Sequence, residues 1–140
     1  MRKKVFVSGC FDLIHAGHVE FLKQASKYGD LYVSLGSDRT IRGLKNRNTV
    51  YSEDERVFII KAIRYVKDAF VARGEGVMDF EKEILKLKPD IFVVNEEGDS
   101  MEKRNLCEEL DIKYVVLKRT PPENLPKRST TKLRRLLRNY

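Results

Sequence analysis

The chain has 140 residues, 41% hydrophobic and 35% charged, with 28 Lys and Arg against 21 Asp and Glu for a net charge of +7. That length suits one domain with one core over residues 1–140. No apolar run approaches the ~20 residues of a membrane span, and the stretch after Met1-Arg2-Lys3-Lys4 is too short for a signal-peptide core.

Strand-like and helix-like segments alternate along the chain. This predicts an α/β fold, a Rossmann-like doubly wound sheet of five parallel strands with helices on both faces. The first strand spans about Lys4–Ser8, and the first helix runs from about Gly17 to Tyr28, with Val19, Leu22, Ala25 and Ser26 at helical spacing. The second strand is Leu31–Leu35, followed by a polar loop from Ser37 to Val50. Ser52-Glu53-Asp54-Glu55 has the form of a capping box and opens a helix reaching about Tyr65. The third strand is about Asp68–Ala72, and the next helix covers about Asp79–Leu87, stopping before Pro89. Ile91–Val94 is a continuous apolar run suited to a buried parallel strand. A helix over about Ser100–Leu110, a strand over Lys113–Leu117, a Pro-containing loop and a last helix from Ser129 to Arg138 complete the order.

The two histidines of the chain, His15 and His18, both fall where the first strand hands over to the first helix. Ligands of open α/β sheets bind at that carboxyl edge, and a helix N-terminus there offers free N–H groups and a positive dipole to phosphate. Imidazoles at this point donate hydrogen bonds to phosphate oxygens, and as imidazolium they add positive charge where a phosphoryl transition state gains negative charge. Gly17 between them removes bulk from the path of a phosphate. A lone histidine in such a place is more often a cap or a buried, satisfied group. Both histidines of a chain at one junction favour function. Cys10 and Cys107 stand far apart with no CxxC, which indicates neither a disulfide framework nor a zinc site and fits a reducing cytoplasm.

Gly9-Cys10-Phe11-Asp12 followed by His15-Ala16-Gly17-His18 resembles the signature of the cytidylyltransferase-like nucleotidyltransferases, the family of glycerol-3-phosphate cytidylyltransferase, heptose-phosphate adenylyltransferase and archaeal FAD synthetase. Ser129-Thr130-Thr131-Lys132-Leu133 resembles the second signature of that family, at the start of the last helix. The resemblance implies the nucleotidyltransferase type of Rossmann-like fold and nucleotidyl transfer from CTP or ATP to a small phosphorylated acceptor. Sugar phosphates, glycerol phosphate and FMN all remain open as acceptors, the last making the protein an FAD synthetase. It also implies a homodimer and Mg²⁺ bridging the phosphates, with Asp12 placed to hold the loop or the metal-bound phosphate.

The resemblance carries further residues. Gly9, Cys10, Phe11 and Asp12 would form the nucleotide loop, with Cys10 presenting its backbone N–H, and His15 and His18 would bind the α/β-phosphate region. Ser129, Thr130 and Thr131 would hold the β/γ-phosphates, and Lys45 resembles the mobile-loop lysine that reaches the triphosphate or the acceptor phosphate. Arg64, in Ile63-Arg64-Tyr65-Val66, matches an arginine that contacts the acceptor phosphate; the ordinary alternative is a helix-end arginine favoured by the dipole. The resemblance implies a phosphate-binding arginine a few residues before Ser129. Here Arg119 is separated from it by a longer, proline-bearing insertion, Arg128 occupies the place of the family's apolar residue, and the sequence does not choose between them. After the fourth strand the family turn is replaced by Asn95-Glu96-Glu97-Gly98-Asp99, which leaves the base open.

Two other classes compete. A nucleic-acid-binding module would explain the net charge and the basic last helix, but aromatic residues are not interleaved with that patch and no RNA-binding motif is present. A non-catalytic nucleotide sensor is disfavoured by the presence of both histidines. Neither a nucleic-acid nor a membrane partner is expected.

Overall fold

The computed structural model describes residues 2–139. Five strands, β1 (Lys4–Gly9), β2 (Asp30–Leu35), β3 (Asp68–Val71), β4 (Ile91–Asn95) and β5 (Lys113–Leu117), form one sheet in the order β3-β2-β1-β4-β5. Every pairing is parallel. Six helices connect and follow them: α1 (Ala16–Ser26), α2 (Asp38–Lys45), α3 (Glu53–Lys61), α4 (Glu81–Leu87), α5 (Met101–Glu109) and α6 (Thr130–Leu137). Among the described residues no helix is long and apolar enough to cross a membrane.

Strand alternation divides the core in two. Val5, Val7, Leu31, Val33, Ile91 and Val93 pack with Leu22 and Ala25 of α1 and Ile60 of α3. Phe6, Phe92 and Val94 pack with Phe80, Ile84 of α4 and Cys107 of α5. The two clusters cover opposite faces of the sheet, as the alternation of strands and helices predicts. On the second face Phe92 meets Phe6 and Phe80 edge-on, with centroids 5.2 and 5.3 Å apart, the geometry aromatic quadrupoles favour.

The chain winds outward from β1 in both directions, so the strand order reverses between β1 and β4. That reversal opens a crevice at the carboxyl edge.

The structure shifts several element boundaries, including the start of α4 from Asp79 to Glu81. The expected loop Ser37–Val50 contains helix α2, with Ser37 Oγ accepting the Thr40 N–H at 3.0 Å and Asn46 closing it in the left-handed region. Its pattern escapes sequence reading because only Thr40 and Ile41 of its eight residues are buried. The helix from Ser52 ends at Lys61 rather than Tyr65, because the Ala62 and Ile63 amides bond three residues back and Lys67 N–H turns to the Leu31 carbonyl. The first helix ends at Ser26 rather than Tyr28, with Lys27 as its cap.

Candidate active site

The crevice is a cavity of about 500 Å³, lined by the ends of β1 and β4, the starts of α1 and α6, and residues that follow β2, β3 and β5. Its floor is the β1–α1 turn. Phe11 and Leu13 both adopt the left-handed region, at φ 52° and 49°, a conformation that costs a non-glycine residue energy and needs surrounding contacts to hold it. Asp12 supplies them. It is buried, and its carboxylate accepts the Val50 and Tyr51 N–H groups at 2.7 and 3.0 Å and the Arg134 guanidinium at 2.7 Å. Arg56, fully buried, braces the same turn by donating to the Cys10 and Tyr51 carbonyls and to Asp38. Asp12 is therefore a loop anchor, the first of the two roles the resemblance implies for it.

His15 caps α1. Its Nδ1 accepts the Gly17 N–H at 3.0 Å, and the Nδ1 of His18 accepts the His15 N–H at 3.2 Å. The rings stack with centroids 3.8 Å apart, and Phe11 meets the His18 ring edge-on. An Nδ1 that accepts places the proton of the neutral ring on Nε2, so each imidazole keeps Nε2–H as its free donor. Burial, then His15, Arg119 and Lys45 nearby, push the His18 pKa down to about 3. Burial, then Arg119 and Arg128, lower that of His15. Both shifts favour the neutral ring, so of the two roles the sequence leaves open the ligand-free site favours hydrogen-bond donation, with Lys45 and Arg119 as nearby positive charge. Gly17 also has a different purpose from the one expected. A Cβ there would stand 2.9 Å from His15 Cε1, so glycine makes room for the capping ring itself.

Twelve of the sequence-derived site residues line this one cavity: Gly9, Cys10, Phe11, Asp12, His15, His18, Lys45, Asn95, Arg119, Ser129, Thr130 and Thr131. Lys45 is the last residue of α2 rather than part of a loop. The Thr130 hydroxyl donates to the Asp12 carbonyl at 3.2 Å, so its O–H is spent on the scaffold. Ser129 Oγ accepts the Lys132 N–H and keeps its own proton for a ligand. The first-turn amides of α6 have no partner within their own helix. Asn95 Oδ1 accepts the Gly98 N–H, which leaves its NH₂ free.

Of the two candidate arginines, Arg119 lines the cavity and is held by Glu97 and by the Arg128 carbonyl. Arg128 is not among the lining residues, although its charge acts on His15. Arg64 is a correction: it follows α3 at the amino edge of the sheet, stacks on Tyr65 and lies among Arg2, Gly29, Asp30 and Lys67, away from the cavity. The order of elements explains this, since α3 starts at the carboxyl edge and carries the chain back to the other end. Arg47, Asp79, Lys103 and Lys118 also line the cavity and carried no motif signal.

Comparison with known proteins agrees with this geometry. The cytidylyltransferase-like family matches residues 6–136. The FAD synthase of Pyrococcus horikoshii is 41% identical over 98 residues, which is 69% of this chain and 64% of that protein. The bifunctional protein HldE of Helicobacter pylori is 40% identical over 94 residues, 66% of this chain and 20% of the relative. A lipopolysaccharide core biosynthesis protein from Thermoplasma volcanium superposes with a TM-score of 0.71 at 25% identity, covering 88% of this chain and 100% of its own. The chain thus spans less than two thirds of each of the two curated relatives. A match over nearly its whole length, on a sheet whose switch point carries both signatures, means that the chain belongs to the cytidylyltransferase-like family of nucleotidyltransferases.

Proposed function

We propose that the protein transfers AMP or CMP from ATP or CTP to a small phosphorylated acceptor and releases pyrophosphate. The observation that carries this reading is the pair of neutral imidazoles whose Nδ1 atoms are tied to the α1 backbone beside Arg119 and the α6 N-terminus. An acceptor phosphate oxygen attacks the α-phosphorus in line; the new P–O bond forms as the bond to the β-phosphate breaks, and the electron pair leaves with pyrophosphate. The acceptor is already ionised, so no general base is needed, and the work of the protein is positioning and charge stabilisation. His15 and His18 donate from Nε2 to the oxygens that gain charge. Lys45 and Arg119 neutralise the phosphates, and the α6 amides with Ser129 hold the far end of the triphosphate.

Among the described residues no cluster of His, Cys, Asp and Glu is placed to hold a metal. A divalent cation entering with the nucleotide would supply further charge neutralisation at the phosphates beside Lys45 and Arg119. Adenylyl transfer is favoured over cytidylyl transfer because relatives are named FAD synthase, whose product contains an AMP unit. The test is pyrophosphate release with Mg²⁺, crossing ATP and CTP with FMN, sugar phosphates and glycerol 3-phosphate. Release that depends on one nucleotide and one acceptor supports the reading; absence of both release and nucleotide binding refutes it.

A further inference from the structure

We infer that Asp79 and Lys103 form the acceptor end of the cavity and recognise hydroxyl groups on the carbon chain of a phosphorylated polyol, an inference that rests on the nucleotidyl-transfer reading above. Both residues line the same cavity as the histidines. Asp79 lies between β3 and α4, and Lys103 stands in the first turn of α5. Helices α4 and α5 cover the sheet face opposite α1, so this pair stands across the carboxyl edge from His15 and His18.

Three carboxylates line the cavity: Asp12, Asp79 and Glu97. Asp12 is used by two amides and Arg134, and Glu97 is paired with Arg119. Asp79 accepts no hydrogen bond from another side chain among the described residues. Its surroundings are nevertheless built. The Gly74 N–H donates to the Asp79 carbonyl at 3.1 Å, and the Gly74 carbonyl accepts from Thr40 Oγ1 at 3.2 Å, which ties this turn to α2. A Cβ on Gly74 would come within 2.4 Å of the Asp79 carbonyl, so the turn closes only on glycine. A half-buried carboxylate on a fixed turn, to which no other side chain donates among the described residues, has lone pairs left for a ligand. Burial, together with Glu83, raises its pKa to about 6, and Lys103 opposes that shift. Lys103 donates to the Gly98 carbonyl at 2.6 Å and keeps two further N–H groups.

The two residues thus present lone pairs and N–H donors to one cavity, and their opposite charges offset each other. A carboxylate repels phosphate, so this end does not take the triphosphate, which belongs beside Lys45 and Arg119. A hydroxyl donates and accepts at once, and it matches the pair. Sugar phosphates, glycerol phosphate and FMN share one feature, a phosphate borne on a hydroxylated carbon chain.

The experiment is calorimetric titration of the wild-type protein with FMN, glucose 1-phosphate and glycerol 3-phosphate, each against the hydroxyl-free probe n-propyl phosphate. Asp79→Asn and Lys103→Met are titrated with the same probes and with ATP. At least one hydroxylated phosphate should bind roughly 10- to 100-fold more tightly than propyl phosphate, the range for hydrogen bonds to charged groups. Each substitution should remove that preference while leaving ATP affinity within about twofold. Equal binding of propyl phosphate overturns the inference, as does an Asp79→Asn variant that keeps the preference. Loss of ATP affinity in that variant also overturns it, by assigning the pair to the nucleotide. Failure of wild-type protein to bind ATP or CTP is a separate result, which removes the nucleotidyl-transfer reading itself.

Discussion

Replacing Asp12 by alanine removes one carboxylate and strands three donors. The Val50 and Tyr51 amides and the Arg134 guanidinium lose their acceptor, and Arg134 Nε is already buried without one. Each stranded buried donor costs about 1–3 kcal/mol, and breaking a buried ion pair costs about 3–5 kcal/mol. The Arg134 side chain is 19% exposed and Val50 is at the surface, so water recovers part of this. The expected loss is about 2–4 kcal/mol. For a chain this size the unfolding entropy is about 0.3 kcal/mol per kelvin, so the melting temperature should fall by roughly 7–14 °C. Calorimetric melting of Asp12→Ala, Arg134→Met and the double variant measures the loss and the coupling between the two residues. The coupling should exceed about 1 kcal/mol. A drop below about 3 °C for Asp12→Ala, or additive effects in the double variant, would refute the assignment of Asp12 as the tie between the β1–α1 turn, residues 50–51 and α6.

His18→Ala should cut turnover by on the order of 10²–10³, the range for losing one preorganised donor, with the melting temperature little changed; near-normal turnover removes His18 from the site. Stability should also report its neutrality. The folded-state pKa of His18 is about 3 against 6.5 unfolded, so the unfolded chain binds the extra proton between those values and the stabilisation present above pH 6.5 is lost as pH falls. Asp79, raised to about 6 by burial and Glu83 and opposed by Lys103, acts in the opposite sense between about 6 and 3.8. Comparing wild type with His18→Asn cancels that term: the wild-type melting temperature should decline relative to the variant from pH 7 to 4.5, and parallel profiles would contradict a neutral His18. Arg64→Ala should leave turnover and both Michaelis constants within about twofold, because the residue sits at the far edge of the sheet; a tenfold rise in the acceptor constant would return it to the site.

Local pattern was enough for much of this molecule. Ile91–Val94 reads as a buried strand because both of its faces are covered. Ser52 reads as a cap because an N-cap bond spans only three residues. The histidine junction is legible for the same reason: His15, Gly17 and His18 form their bonds with one another. Other features depend on which elements the sheet order makes neighbours. Asp12 meets Tyr51 and Arg134 across 39 and 122 residues. Arg64 resembles a site arginine in its local string, yet the return direction of α3 carries it to the opposite edge. Asp79 and Lys103 belong to no motif and share a cavity because the helices after β3 and β4 cover the same face. The charge state of the histidines was out of reach as well, since burial and nearby cations set it, and both exist only once the chain has folded. The sequence by itself thus determined the strands, the caps and the strand–helix junction that holds both histidines, where the deciding bonds span a few residues. Only the tertiary structure decided which distant side chains face one cavity and in what protonation state, because the order of the strands brings those groups together and removes them from water.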